Sequence, residues 1–173
     1  WTILNERMEL LNNNEIEINI EDARNYDSIS RLLGNYKPDV MVHLAAVSHA
    51  SKSNKDPHTT FDHSLRTLEN ALDIARSIDA HLIYFSSSMV YGHFNDKAVT
   101  EETECNPIGI YGTLKYAGEL IVKSYHQVFN LPYTIIRPSA LYGDRCVSRR
   151  VGQIFIENAV QSLDININGD GSD

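Results

Sequence analysis

Short apolar runs alternate with amphipathic stretches along nearly the whole chain, and this alternation restricts the fold more than any other feature. Val40-Met41-Val42-His43-Leu44-Ala45-Ala46 reads as a buried strand. Phe61, Leu65, Leu68, Leu72 and Ala75 then fall on one face at helical spacing and lead to a second apolar run, His81–Phe85. A helix carrying Tyr111 and Lys115 to about Phe129 follows, and then a strand, Tyr133-Thr134-Ile135-Ile136-Arg137, ended by Pro138. Strands separated by helices pair in parallel, and the expected fold class is α/β, a parallel sheet covered on both faces. Upstream, Ile16, Ile18 and Ile20 alternate as a strand would, and Asp22-Ala23-Arg24-Asn25 leaves it. Asp27-Ser28 opens a short helix through Ile29, Leu32 and Leu33, stopped by Gly34 and Pro38. Val90 to Pro107 is polar and loop-like, and a further helix is expected over 151–161 before a polar tail with Gly169-Asp170-Gly171.

A chain of 173 residues, 42% of them hydrophobic, supplies one domain's worth of core. The net charge of −8 argues against a nucleic-acid partner, and Arg149-Arg150 is the only adjacent basic pair. Cys105 and Cys146 give neither a disulfide framework nor metal-ligand spacing, and the seven histidines share no helical face, so no metal is expected. No apolar stretch is long enough to span a bilayer and no secretory pattern opens the sequence, so neither a membrane partner nor an oxidising compartment is expected. The expected location is cytoplasmic.

The chemistry concentrates at Tyr111-Gly-Thr-Leu-Lys115. Residues four apart share a helical face, so the phenol and the ammonium point into one site. A phenol ionises near pH 10, and a neighbouring cation lowers that value toward neutrality. Tyr and Lys one turn apart also occur on ordinary surface helices; the surroundings decide between the two. The strand at His81–Phe85 ends in Ser86-Ser87-Ser88, and ligands of open parallel sheets collect at the carboxyl ends of strands. A serine hydroxyl there can hold a substrate oxygen while its proton moves. Together these groups compose an alcohol–ketone interconversion.

Five ordered segments carry a resemblance: Asp22-Ala23-Arg24-Asn25, His43-Leu44-Ala45-Ala46, Ser86-Ser87-Ser88-Met89-Val90-Tyr91-Gly92, Tyr111-x-x-x-Lys115 and Arg137-Pro138-Ser139-Ala140-Leu141-Tyr142-Gly143. In this order they resemble the extended short-chain dehydrogenase/reductases, and more narrowly the NAD-dependent epimerase/dehydratase family, over nearly the whole chain. The resemblance implies a Rossmann-type, doubly wound parallel sheet. It also implies NAD, with NADP the alternative, a nucleotide-sugar substrate and a homodimer formed through two helices, those with Leu65 and Tyr111 being candidates. Ser87, Tyr111 and Lys115 would be the catalytic residues. Asp22, Ala23, Leu44, Ala45, Ala46, Ser64, Ser86, Tyr111, Lys115 and Pro138 would meet the dinucleotide, and Ser48, Ser88, Met89 and Ala140 the substrate. Asp22 also reads as a helix cap, Leu44–Ala46 as plain buried strand, and Pro138 as a strand terminator. Val47-Ser48-His49 would face the substrate.

A dinucleotide-binding domain of this kind opens with a strand, a Gly-rich turn and a helix N-terminus that holds the pyrophosphate; no G-x-x-G-x-x-G is present. With Trp1-Thr2-Ile3 in mid-pattern and Ser172-Asp173 on a turn signal, the expectation is a fragment of a longer protein. It would be a partial dinucleotide-binding domain over 1–173 without its first βα unit and C-terminal substrate region, with 144–173 leading toward the latter. Family dehydratases carry an acidic pair just after the catalytic hydroxyl, where this chain has Ser88 and Met89, which argues against dehydration. Where the family often has Asn, this chain has Ser64 and Ala140. The expected activity is epimerisation of a nucleotide sugar, at C4. There Tyr111 would take the hydroxyl proton as the C4 hydride leaves for NAD⁺, and both would return to the opposite face. A carbonyl reductase using the same triad and a non-catalytic dinucleotide-binding protein are the alternatives.

Overall fold

The computed structural model describes residues 2–48, 50–94, 98–146 and 150–167. The readings of Trp1, His49, Arg149 and the tail from Gly169 concern residues outside these ranges. The elements run α1 (Thr2–Asn13), α2 (Tyr26–Tyr36), β1 (Val40–His43), α3 (Ala50–Lys55), α4 (Pro57–Phe61), a π-helical turn (Asp62–Arg66), α5 (Thr67–Ile78), β2 (His81–Phe85), a 3₁₀ turn (Ser88–Tyr91), α6 (Gly109–Phe129), β3 (Tyr133–Ile136) and α7 (Val151–Val160). They fall into two compact units, Ile20–Ser139 and the pair of segments 1–19 and 140–173.

The larger unit holds a three-stranded parallel sheet in the order β1-β2-β3. Met41 and His43 of β1 stand beside Leu82 and Tyr84 of β2, and Leu82 and Tyr84 stand beside Tyr133 and Ile135 of β3. This face packs on Leu68, Leu72 and Ala75 of α5 and Val122 of α6, all fully buried. The opposite face leaves Val40, Val42 and Ile136 exposed. Both crossovers move in the same direction along the sheet, and right-handed connections then place α5 and α6 on one side. The expected two-sided cover is therefore met on one side only by these elements. In the smaller unit neither α1 nor α7 contains a buried residue, and the Arg7 guanidinium donates to the Arg145 carbonyl.

Several local expectations need correction. Residues 16–22 form neither helix nor strand, and Ile16, Ile18 and Ile20 are exposed. Alternation prepares a strand, but a strand forms only where a neighbour accepts its backbone groups. α2 starts one residue earlier than expected, with Asn25 accepting from the Ser28 amide at 3.2 Å as its cap, so the cap is neither Asp22 nor Asp27. It runs through Gly34 and ends where Lys37 turns left-handed (φ 42°) and donates to the Leu33 carbonyl at 2.7 Å, just before Pro38. β1 stops at His43, three residues short of Ala46. The long helix from Phe61 is broken by the π-helical turn that contains Ser64. Val90 and Tyr91, read as the start of a loop, close a 3₁₀ turn and are buried.

Candidate active site

The carboxyl end of β2 is the centre of the site. Phe85 closes the strand, Ser86 follows it, and the Ser86 amide donates to the Ile136 carbonyl at 2.8 Å while the Ser88 amide donates to Pro138 at 3.0 Å. The ladder between β2 and β3 thus continues past both strand ends and fixes the serine segment against Pro138. Ser87 is buried in extended conformation, and its hydroxyl oxygen accepts from the Met89 amide at 3.2 Å, capping the 3₁₀ turn. That contact uses an acceptor lone pair and leaves the hydroxyl proton available to a substrate oxygen.

Helix α6 brings the other two groups. Its first turn is set by Gly109 (φ 74°) and by Asn54 of α3, whose side-chain oxygen accepts from the Ile110 amide at 3.2 Å. Asn54 escaped the sequence reading because a cap that comes from a distant helix leaves no local signature. Gly112 lets α6 press on the 3₁₀ turn; a Cβ there would sit 2.7 Å from the Met89 carbonyl oxygen. This close approach holds the first turns of α6 against the 3₁₀ turn that Ser87 caps. Tyr111 is half-buried, and among the described residues no hydrogen bond from its hydroxyl is found.

Lys115 lies one turn further on and is buried. Its ammonium donates to the Phe85 carbonyl at 2.7 Å and stands 5.3 Å from the centre of the Tyr84 ring. Burial lowers its pKa to about 8. His43, stacked on Tyr84 with ring centroids 6.1 Å apart, is buried with Nε2 unpartnered. Burial, and after it the Lys115 charge, press its pKa down to about 4, so at neutral pH it is an uncharged neighbour of the lysine. The Tyr84 hydroxyl donates to the Lys115 carbonyl at 3.3 Å, and its pKa is raised by burial, then by Glu119 and Tyr111.

Of the residues expected at the dinucleotide, Ala23, Leu44 and Ala45 line one cavity of about 280 Å³ at the end of β1, together with His43, Thr67 and Asn70. Two buried polar residues of α5 hold its rim, neither of them picked out from sequence. Asn70 donates to the Ala23 carbonyl at 2.9 Å and Thr67 to the Ala45 carbonyl at 2.8 Å. Asp22 is clasped by Arg24 at 2.7 Å, which also reaches Asp62 at 2.8 Å, and the Arg24 contact lowers the Asp22 carboxyl to about 2. Ala46 and Ser64 are half-buried outside that cavity's lining, and Ser48 is exposed. Ser88 is half-buried and Met89 is 42% exposed, whereas Ala140 belongs to the smaller unit. Ser86 turns its hydroxyl inward, donating to Glu119 at 2.5 Å, so the cofactor contact expected of it is not made by a free hydroxyl. Among the described residues no group of three His, Cys, Asp or Glu side chains is placed to hold a metal ion.

Residues 2–173 match the model of the NAD dependent epimerase/dehydratase family. The chain belongs to that family. A putative UDP-glucose 4-epimerase of Methanocaldococcus jannaschii is 32% identical to this epimerase/dehydratase chain over 157 residues, 87% of this chain and 51% of the relative. The dTDP-glucose 4,6-dehydratase of Haemophilus influenzae is 28% identical over 162 residues, 87% of this chain and 48% of the relative. Among solved structures, the UDP-glucuronic acid 4-epimerase of Bacillus cereus, in complex with UDP-glucuronic acid and NAD, is 30% identical with a TM-score of 0.74. That match covers 88% of this chain and 48% of the Bacillus protein. The chain spans about half the length of these relatives. The partial Rossmann-like sheet is thus the family's fold. No helix among the described residues is long and apolar enough to cross a membrane.

Proposed function

We propose that this chain carries the catalytic centre of a NAD-dependent nucleotide-sugar epimerase, acting at the sugar C4 through a transient keto-sugar. The observation that carries the reading is Lys115, a buried ammonium fixed on the Phe85 carbonyl one helical turn from Tyr111. Of its three donors one is used on Phe85, and the remaining two suit the vicinal hydroxyls of a ribose. The cavity lined by Ala23, Leu44 and Ala45 is mostly apolar, with Asn70 and Thr67 at its rim, and such a lining fits the dinucleotide NAD. NAD, when bound, supplies a place for one hydride to go and to return from. The protein's part is positional and electrostatic. Ser87 donates to the sugar oxygen, Tyr111 takes and returns the hydroxyl proton, and the Lys115 charge favours the phenolate. Asp22 would act on the rim near the adenine side, held by Arg24, and Pro138 would back the serine segment. Ser48, Ser88, Met89 and Ala140 remain the candidates for the sugar nucleotide. Ser88 and Met89 offer no carboxylate to expel water, which favours epimerisation over dehydration.

Homodimerisation along the groove of Phe61, Leu65, Ile121 and Tyr125, and a cytoplasmic location, belong to the same reading. The test is turnover of UDP-glucose and UDP-glucuronic acid by the full-length protein, with no net change in cofactor redox state. Tyr111→Phe should lower kcat by about a hundredfold or more. A variant within a few-fold of wild type would sink the mechanism.

A further inference from the structure

Tyr111, Lys115 and Glu119 follow one another at four-residue spacing, so they form a single stripe along α6. The first two face the proposed chemistry, and the third is a fully buried carboxylate that this chemistry does not use. Glu119 is 0% exposed and meets Arg137, 15% exposed, through two parallel contacts: Nε to Oε1 at 2.9 Å and Nη2 to Oε2 at 2.7 Å. The Ser86 hydroxyl donates to the same Oε1 at 2.5 Å. Arg137 extends the network, with Nη1 donating to the Tyr91 hydroxyl at 2.9 Å and to the Glu101 carbonyl at 3.3 Å, and its guanidinium lies 5.0 Å from the Tyr91 ring centre. The network therefore joins α6, Arg137 just past β3, and the segment 86–91, with Ser86 directly on the carboxylate and Tyr91 reaching it through Arg137.

A buried ion pair is a poor device for stability alone, because desolvation consumes most of the attraction and an apolar pair of similar volume often serves as well. What an apolar pair cannot do is orient a neighbouring hydroxyl. Ser86 and Tyr91 bracket Ser87, and both are bonded into the network, so the carboxylate on the Tyr111–Lys115 helix sets where the Ser87 segment stands relative to that helix. We propose that Glu119 and Arg137 are positioning residues that lock the Ser87 segment onto the helix bearing Tyr111 and Lys115. The inference rests on the epimerase reading for its catalytic consequence and on geometry alone for the lock.

The test compares full-length wild type with the double variant Glu119→Leu/Arg137→Met, which leaves no buried charge unpaired. Two quantities are read: amide hydrogen exchange of residues 86–91 without added cofactor, and the kinetics of sugar-nucleotide epimerisation. The lock predicts a double variant that folds with exchange over 86–91 faster by about tenfold, and kcat lower by about tenfold or more with KM within about twofold. If the pair only supports the fold, the apolar replacement restores both slow exchange and turnover, and the proposal is overturned. Faster exchange with unchanged kcat overturns it equally. Should the double variant not fold, Ser86→Ala leaves the ion pair and its Tyr91 contact intact and cuts the direct link from the carboxylate to the serine segment; it must show faster exchange over 86–91 and a lower kcat, and an unchanged value of either overturns the proposal. Wild-type protein that turns over no sugar nucleotide removes the epimerase reading, while the exchange result still decides whether the lock exists.

Discussion

Replacing Lys115 by methionine separates the cost of burying a cation from every other contribution at this position. The ammonium is held at about 8 against an ordinary 10.5, because the folded protein strips water from it. That gap of about 2.5 in pKa, at about 1.4 kcal/mol each, makes the protonated lysine about 3 kcal/mol less favourable in the fold than in the unfolded chain. Methionine matches the stem in length but leaves the Phe85 carbonyl without its donor, a cost of about 1–3 kcal/mol that does not vary with pH. The pH dependence therefore isolates the lysine. Below pH 8 both states carry the proton and the penalty is present in full. Between 8 and 10.5 the native state has lost the proton and the unfolded chain still holds it, so stability rises with pH; above 10.5 the penalty is gone. Urea unfolding of both proteins across this range, without added cofactor, should show wild type gaining about 3 kcal/mol on Lys115→Met. A difference that stays constant within about 0.5 kcal/mol from neutral pH to beyond 10.5 would refute the claim that Lys115 is a desolvated cation.

His43 gives the acid-side counterpart. Its pKa of about 4, against 6.5 unfolded, means the unfolded chain takes a proton that the native core refuses, so stability falls as pH drops from 6.5 to 4. His43→Gln should remove about 3 kcal/mol of that decline, measured as a flatter acid limb in urea midpoints; an unchanged slope contradicts a neutral buried His43. Gly118 tests the packing of α6 on β2. A Cβ there would stand 2.2 Å from the Tyr84 hydroxyl and 3.1 Å from Leu68 Cδ2, so Gly118→Ala should destabilise by about 1–3 kcal/mol despite the better helix propensity of alanine. An equal or higher melting temperature would show that Tyr84 yields easily and is no fixed support for Lys115.

The helices and strands that were legible in sequence are those whose hydrophobic spacing agrees with their burial. β2 buries Leu82 and Tyr84 as alternation requires, and α6 buries Leu114, Gly118 and Val122 along one stripe. The reading failed where an element needs a partner that spacing does not name. Ile16, Ile18 and Ile20 have the alternation and no ladder. The helix from Phe61 has the spacing, yet Asp62–Arg66 opens into a π-helical turn next to the Thr67 hydroxyl, which bonds the Ala45, His63 and Ser64 carbonyls.

At the site the division is the same. Ser87, Tyr111 and Lys115 were visible because a strand end and a four-residue helical repeat place reactive groups by local geometry, which a sequence records directly. Asn54, Thr67, Asn70, Glu119 and Arg137 were not, because each acts on a segment 18 to 56 residues away, and sequence separation carries no sign of that proximity. By itself the sequence determined the parallel α/β class and named the residues here proposed for the chemistry, since period and residue type are local properties. Only the tertiary structure decided which sheet face α5 and α6 cover, how far the Lys115 ammonium is desolvated, and that a buried carboxylate ties the serine segment to its helix. Those outcomes depend on the handedness of the crossovers and on water excluded by contacts between distant parts of the chain.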